Sequence, residues 1–376
     1  MLLLILALAA CNKPGEDASA DVSMLRPGTI HPTSENIPDD AEVDYILWPA
    51  EPGARAGSTI EAFLHRLTAS DPIVTVGVEE GTKQAMLGTI VHATSDEEGR
   101  TYVLDGISKM VRIFDKEGRF LHAFGGAGQG PKEFMAPMGM ALGPDGEIIV
   151  ADGSRHVKIF EPQDATYGLK TLVTLDYNPD DVCLIDDRFY VRGFHRSDDG
   201  KETMIHAYSM SGDLLYSFGG GYRAPHPSIR AMMSRGEAMA CSEEANTVMI
   251  LFEFLPTIYG FAPDGSLKWT VKLGDFAATT ITEMLSDNGH PALRYSKPEP
   301  GDVFVRHMAA FPRGEVAIQL IRAGSRPYFY DTYLLSAQDG RGFRLEEFFP
   351  LLFGGASGQV LVGASVPFPQ VKVYQP

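Results

Sequence analysis

The chain has 376 residues, 44% of them hydrophobic, so it can form one large domain or two ordinary ones with a sizeable core. Its 39 glycines and 25 prolines favour a turn-rich β-protein over a helical one. With 49 acidic against 32 basic residues, the formal net charge is -17. An acidic surface repels phosphate backbones, which excludes nucleic acid as an expected partner.

The chain opens with an apolar run from Leu2 to Ala10 that ends in Leu-Ala-Ala-Cys. This run is too short for a membrane-spanning helix, which needs about 20 residues, and it fits the hydrophobic region of a signal peptide covering residues 1–10. Leu8 to Cys11 also resembles the lipobox of bacterial lipoproteins, although no Lys or Arg precedes the run. The resemblance implies cleavage before Cys11 and attachment of a lipid to its thiol.

The segment 11–57 is polar, rich in Pro and acidic residues, and lacks hydrophobic periodicity. It is therefore predicted to be a flexible tether between the lipid and a folded body spanning residues 58–376. This plan predicts a protein of the bacterial cell envelope, lipid-anchored on the periplasmic or outer-membrane face.

A short helix is predicted over residues 59–69, because Ser58 and Glu61 form a capping box and apolar residues follow at helical spacing. We expect its apolar face to pack on the flank of the folded body; presentation of that face to a partner is the alternative. The apolar residues are Ile60, Phe63, Leu64 and Leu67.

The folded body is predicted to be all-β because one pattern recurs along it: two short strands, each followed by a turn. Residues at the same point of the second strand are separated by 47, 41, 58, 69 and 43 positions, a spacing typical of four-stranded propeller blades. These residues are Tyr102, Ile149, Tyr190, Val248, Ala317 and Val360. The sequence thus predicts a six-bladed β-propeller. Its last blade lacks one strand, and a spare strand within residues 71–80 would complete it and close the ring.

The glycine-rich stretch GGAGQGPKEF, residues 125–134, does not bind phosphate in this interpretation. It lacks the Gly-Lys-Ser/Thr ending of a Walker loop, and strands rather than a helix follow it. The longer stretch from Gly128 to Phe160 resembles an NHL repeat through its Gly-Pro-x-x-Phe loop, Pro-Asp-Gly turn and Ala-Asp strand end. Together with the lipobox, it makes the chain similar to bacterial six-bladed propeller lipoproteins.

Some NHL-type propellers are lyases or lactonases with a central metal, so the resemblance implies one alternative site. His92 and His307 lie on predicted inner strands, and Asp181 and Glu237 lead into two others. Such a set could hold zinc or calcium. The chain has neither HxxxH nor HExxH spacing, and ordinary solvated or core histidines are the favoured interpretation, with no cofactor.

Two further pairs receive structural interpretations. Asp105 and Asp152 end the second strands of blades one and two, and we expect each to accept turn N–H groups and, paired with Arg112 or Lys158, to lock neighbouring blades.

Cys183 and Cys241 fall on inner strands of adjacent blades. Two buried thiols are favoured for them, with one disulfide as the alternative.

Two inserts, at 221–236 and 275–302, separate the outer strand of one blade from the inner strand of the next, and we expect both on one face of the propeller. Residue types common at interfaces make them the candidate binding surface. The candidates are Tyr222, Arg223, His226, Met232, Met233, Arg235, His290 and Tyr295. The sequence thus predicts a monomeric, membrane-anchored scaffold that binds an envelope or membrane protein or another ligand, with no catalytic residue. The alternative is a metal-dependent lyase or lactonase.

Overall fold

The protein is described from a computed structural model that covers residues 29–30, 44–47, 59–164, 166–222, 230, 234, 236–252, 257–274, 280–285, 291–296, 304–321 and 328–376. For residues 29–30, 45, 236–237, 280–285, 291–296 and 304–306 only the backbone is described. The predicted signal peptide, the lipidated Cys11 and most of the tether lie outside these ranges.

Strands dominate the described chain, and they come in groups of four that run from an inner strand to an outer strand. Three strands and a helix precede the first group: β1 Thr29–Ile30, β2 Tyr45–Leu47, α1 Thr59–Leu64 and β3 Val74–Val76. Blade one comprises β4 Ile90–Ser95, β5 Thr101–Asp105, β6 Met110–Phe114 and β7 Phe120–Gly125. Blade two comprises β8 Pro137–Leu142, β9 Ile148–Asp152, β10 His156–Gln163 and β11 Thr166–Thr174. Blade three comprises β12 Asp181–Ile185, β13 Arg188–Arg196, β14 Glu202–Ser209 and β15 Leu214–Phe218.

The second half of the ring repeats this order. Blade four comprises β16 Gly236–Ser242, β17 Thr247–Phe252, β18 Thr257–Phe261 and β19 Leu267–Leu273. Two strands follow it, β20 Thr280–Leu285 and β21 Pro291–Ser296. Blade five comprises β22 Phe304–Phe311, β23 Glu315–Ile321, β24 Tyr330–Ser336 and β25 Gly342–Phe349. Blade six comprises β26 Leu351–Gly354, β27 Val360–Ala364 and β28 Gln370–Tyr374.

The six inner strands adjoin one another in a closed ring. Each of β4, β8, β12, β16, β22 and β26 contacts the next, and β26 contacts β4. Alternate side chains of the half-buried strands fill the spaces between blades, so each hydrophobic cluster draws on two neighbouring blades. The predicted six-bladed propeller is confirmed.

The ring is closed by a strand from the amino-terminal side, as predicted. Strand β3 pairs antiparallel with β28, with Val76 opposite Val371. The N–H of Ile73 adds a hydrogen bond of 2.8 Å to the carbonyl of Val373. Because β3 covers the outer edge of blade six, the two ends of the propeller are joined by main-chain hydrogen bonds.

Part of the predicted tether is instead a strand. β2 pairs in parallel with β19 and gives blade four a fifth strand, in which Leu47 is fully buried. The Asp44 carboxylate accepts the Thr270 N–H at 2.7 Å. The prediction of a flexible tether up to residue 57 is therefore wrong at 44–47. Within this polar segment of the sequence, the three residues of β2 pair with the otherwise open edge of β19.

The second insert contains regular structure of its own. Strand β20 pairs antiparallel with β21 on one side and with β1 on the other, giving a three-stranded sheet. This sheet belongs to a compact unit distinct from the propeller.

The short helix packs on the propeller as expected. Helix α1 and the 3-10 turn Leu67–Ala69 bury all four predicted apolar residues in the cluster between blades five and six. The ring of Phe63 lies 5.4 Å from that of Tyr374. Because this face is buried, the alternative in which the helix offers it to a partner is wrong.

Candidate functional site

The two ends of the ring carry different side chains. We call the end at which the inner strands begin the upper face, and the opposite end the lower face. On the lower face, the turns of blade one are closed by ion pairs, such as Arg100 Nε with Asp96 at 2.6 Å and Arg119 Nε with Asp115 at 2.7 Å. On the upper face, loops of blades five, six, one and two expose large apolar side chains. They include Met86, Ile107, Met135, Met138, Tyr328 and Val366.

The end of the second strand of blade one, on this upper face, is held by a buried ion pair. The Asp105 carboxylate accepts the N–H groups of Gly88 and Thr89 at 2.9 and 3.1 Å, and Arg112 Nη1 lies 2.5 Å from it. Burial by itself would raise the pKa of Asp105, but these N–H donors hold that pKa below its ordinary value. Arg112 Nε also donates to the carbonyl of Gln84 at 3.0 Å.

Blade two repeats the arrangement with lysine in place of arginine. Asp152 accepts the N–H of Ala136 at 2.7 Å, and Lys158 Nζ lies 3.3 Å from the carboxylate. The same Lys158 donates to the carbonyls of Gly130 and Glu133, so the glycine-rich loop is held through its carbonyl oxygens. The predicted turn-holding role of Asp105 and Asp152 is confirmed. Each, however, fixes the loop that leads into its own blade rather than locking onto the next one.

Blade three carries a buried arginine, Arg192, near the upper end of its second strand. Arg192 is the last residue of β13 that pairs with the inner strand, and it lies two residues after Tyr190, where blades one and two have the apolar Leu104 and Ala151. Its side chain faces blade four, whereas the aspartates of blades one and two face the preceding blade. A β-bulge follows Arg192, and strand β13 continues to Arg196. Arg192 is only 2% exposed. Its Nε and Nη1 are buried without a hydrogen-bonding partner, and no ion pair in the described chain involves it.

Asp181 is the cross-strand partner of Arg192, so both side chains project from the same face of blade three. Its Oδ1 accepts the N–H of Val182 at 2.8 Å and its Oδ2 accepts that of Met239 at 3.3 Å. A Cβ at Gly139 would lie 2.2 Å from Oδ1, so glycine in β8 makes room for this carboxylate. Burial raises the pKa of Asp181 to about 6, against the opposing charge of Arg192.

Cys183 and Cys241 form a disulfide that joins inner strands β12 and β16, with their Cα atoms 5.5 Å apart. The favoured prediction of two separate thiols is wrong. The alternative holds because neighbouring inner strands approach closely enough for the bridge. Cys183 lies two residues after Asp181, so the bridge lies on the same face of blade three as Asp181 and Arg192.

The structure brings two of the four proposed metal ligands together. The rings of His92 and His307 lie 6.0 Å apart, with Phe353 5.5 Å from the first and 4.7 Å from the second. Burial lowers the pKa of His92 to about 4, and its Nδ1 is buried without a partner. Within the described ranges, no three His, Cys, Asp or Glu side chains are arranged to hold a metal ion. The side chain of Glu237 lies outside the described residues.

Of the predicted insert residues, only Tyr222 has a described side chain. It is fully buried, and its N–H donates to Ser234 Oγ at 2.6 Å, so the expectation that Tyr222 offers an exposed binding surface is wrong. Arg230 ties the same insert to blade three through Glu202, at 2.8 Å. The backbone of Tyr295 lies in β21. Arg223, His226, Met232, Met233, Arg235 and His290 lie outside the described residues.

Sequence reasoning missed Arg192 as a candidate. The signal was present, because Arg192 lies two residues after Tyr190, at the repeat position where blade one has Leu104 and blade two has Ala151. A charged residue at a position that is apolar in two other blades places its charge in the space between blades.

Comparisons with known proteins agree with this architecture. Residues 80–295, more than half of the chain, match the family DUF5128, described as 6-bladed beta-propeller, and the chain belongs to that family. No curated protein matches it. No helix in the described part of the chain is long and apolar enough to cross a membrane.

Several solved propellers are similar in fold. A Bacteroides fragilis protein named as exported has a TM-score of 0.51 and 10% identity, over 78% of this chain and 83% of that one. A DUF4221 protein from Bacteroides vulgatus has a TM-score of 0.50 and 12% identity, over 81% and 97%. The WD40 repeats of RRP9 give 0.51 and 12%, over 80% and 97%. At these identities the likeness shows the fold alone.

Proposed function

We propose that this six-bladed propeller is a lipid-anchored protein of the bacterial cell envelope that binds an envelope or membrane protein through its upper face. The observation that supports this is the contrast between the two ends of the ring. Ile107 is 71% exposed and Val366 65% exposed on the upper face, whereas the lower-face turns of blade one consist of charged residues paired with one another.

The exposed apolar side chains of the upper face lie on four consecutive blades. Contiguous apolar surface of this kind is uncommon on monomers and marks sites of association, because burying it releases ordered water. Large apolar side chains also occur on outer strands, such as Leu214 and Leu215 of β15, where they belong to a single blade. The upper face is therefore the end of the ring best suited to a protein partner.

The site of action rests on the amino-terminal sequence. The lipobox-like Leu8 to Cys11 supports a lipid anchor, and a propeller of similar fold is named as exported. Substituting Cys11→Ala should move the protein from the membrane fraction to the soluble envelope fraction. An unchanged membrane fraction would contradict the anchor and leave the binding face to be tested separately.

Affinity purification tests the binding function. The full-length, lipid-anchored protein would be isolated from gently solubilised native membranes, and co-purifying proteins identified by mass spectrometry. We expect a stoichiometric partner that is lost in an Ile107→Glu/Met138→Glu variant. The matched control is Leu214→Glu/Leu215→Glu, which places the same charges on exposed apolar positions of an outer strand. Equal loss in both variants, or no partner with the unaltered protein, would contradict the proposal.

The enzymatic alternative keeps one supporting observation, the approach of His92 to His307 from blades one and five. A metal-dependent lyase or lactonase would need further ligands around this pair. The bound metal of the purified protein should then fall when both histidines are replaced by alanine. Unchanged metal content in that variant would remove the alternative.

A further inference from the structure

Arg192 carries buried N–H donors that the described chain does not pair. Buried polar groups are nearly always hydrogen-bonded, and an uncompensated buried charge is strongly destabilising. Arg192 is only 2% exposed, and its Nε and Nη1 have no hydrogen-bonding partner. The group therefore needs an explanation that the fold itself does not supply.

The carboxylate that faces Arg192 is already engaged. Asp181 faces the same side of blade three, but its two oxygens accept backbone N–H groups of Val182 and Met239. It forms no ion pair with Arg192 in the described chain, whereas the buried cation on the third strand of blade one, Arg112, is bound directly by Asp105. The negative charge of Asp181 opposes the positive charge of Arg192, but Asp181 accepts no hydrogen bond from its Nε or Nη1.

The guanidinium group lies between blades three and four, near the upper face. Tyr190 is two residues before Arg192 on β13 and so shares its face, and the Tyr190 hydroxyl donates to the carbonyl of Pro263 in blade four at 3.3 Å. Cys183, on the same face, is bonded to Cys241 of blade four. The chain that connects these two blades at this end is the first insert.

We infer that Arg192 binds a carboxylate group of a ligand that enters between blades three and four from the upper face. This inference deepens the proposed function, on which it rests, by giving the upper face a charged anchor beside its apolar surface. The planar guanidinium offers parallel donors that match the two oxygens of a carboxylate. A carboxylate adds one negative charge beside Asp181, whereas a phosphate dianion would add two.

The carboxylate has two possible sources, a small carboxylic acid or the C-terminus of a partner. Both are tested on the full chain by thermal unfolding and by calorimetric titration. The probes are sodium acetate and tetraalanine with a free or an amidated C-terminus, each against sodium chloride at equal ionic strength. We expect saturable stabilisation by acetate or by the free-acid peptide. Acetate alone would indicate a small acid, and the free-acid peptide without its amide would indicate a C-terminus.

Two substitutions assign the effect to Arg192. Arg192→Met keeps the volume and removes the charge, and it should weaken carboxylate binding roughly tenfold to a hundredfold, the loss expected for a charge-assisted hydrogen-bonded pair. At pH 4.5, where Asp181 is protonated, it should also leave the Tm without added anion unchanged or higher, because the buried positive charge is gone. Arg112→Met is the matched control: it should lower the Tm but preserve the response to carboxylate.

Three results would overturn the inference. They are a lower Tm of Arg192→Met without anion at pH 4.5, equal carboxylate binding by that variant and the unaltered protein, or stronger stabilisation by inorganic phosphate than by any carboxylate. None of them bears on partner capture through Ile107 and Met138, which tests the proposed function independently.

Discussion

Blades one and two carry a buried aspartate at the upper end of their second strand, and blade three carries a buried arginine there. Asp105 accepts four backbone N–H groups and Asp152 two, and each carboxylate also meets a cation from the third strand. Arg192 lies one position earlier in the repeat and faces the following blade, and its Nε and Nη1 have no hydrogen-bonding partner in the described chain. The upper end of the second strand therefore serves stability in two blades and carries unpaired donors in a third.

Blade five shows that the repeat position of Arg192 can be satisfied by a neutral side chain. Gln319 lies two residues after Ala317 on β23, as Arg192 lies two after Tyr190, and its Nε2 donates to the carbonyl of Pro350 at 2.8 Å while its Oε1 accepts the N–H of Leu352 at 2.8 Å. A polar side chain at this position can therefore find partners in the next blade. Departures from local consistency of this kind concentrate at functional sites, which is why blade three rather than blade one is the place to search for a ligand.

The comparison predicts the largest loss of unfolding free energy for a substitution of Asp105. Asp105→Ala would leave Arg112 buried without its carboxylate and several backbone N–H groups without an acceptor, which should cost about 3–5 kcal/mol of unfolding free energy. Chemical denaturation of the full chain measures this. Arg192→Met is the comparison in blade three and should cost nothing at pH 4.5, where Asp181 is protonated. A similar loss in both variants would show that the two blades do not differ in the way we describe.

Removal of the disulfide should have the next largest effect on the unfolding free energy. Blades three and four are joined by this covalent bond, whereas blade one relies on an ion pair. Cys183→Ala/Cys241→Ala opens a loop with a sequence separation of 58 residues and should cost about 2–4 kcal/mol. Denaturation with and without a reducing agent measures it. The unaltered protein should be destabilised by reduction and the double variant should not respond; an equal response of both would exclude the bridge.

Most of the ring could be predicted from the sequence, because turn-punctuated strands with the repeat spacing of propeller blades need only local pattern to be recognised. Strand β2 could not, since Tyr45–Leu47 is too short to show periodicity and depends on the open edge of β19. The disulfide depended on the distance between two inner strands, which the sequence left open. Tyr222 was misjudged because its aromatic character suits a core as well as an interface. Arg192 stands where blades one and two have Leu104 and Ala151, and only its missing hydrogen-bonding partners reveal its importance.

Asp181 should give a pH-dependent effect of about 3 kcal/mol on the unfolding free energy. Its pKa is raised from 3.8 to about 6 in the folded protein, so the folded state binds this proton more tightly than the unfolded chain does. Stability from Asp181 is therefore greatest at low pH and is lost as the pH rises from about 4 to about 6. Asp181→Asn should be more stable than the unaltered protein at pH 7 and gain nothing at pH 3.5. Denaturation curves at both values decide this, and a gain at pH 3.5 as large as at pH 7 would contradict the assignment.

His92 should give the smallest effect, and it tests whether every unpartnered buried atom marks a ligand site. Its Nδ1 lacks a partner as Arg192 does, but its pKa of about 4 keeps the ring neutral near pH 7, so no charge needs to be balanced. Below pH 6.5 the unfolded chain binds this proton more readily, and the contribution of His92 to stability falls as the pH drops towards 4. His92→Leu should therefore reduce the loss of stability between pH 7 and pH 5 by about 2 kcal/mol and leave the carboxylate response unchanged. Loss of that response in His92→Leu would mean that the binding site extends across the channel to blade one, and the contrast between blades one and three would have to be abandoned.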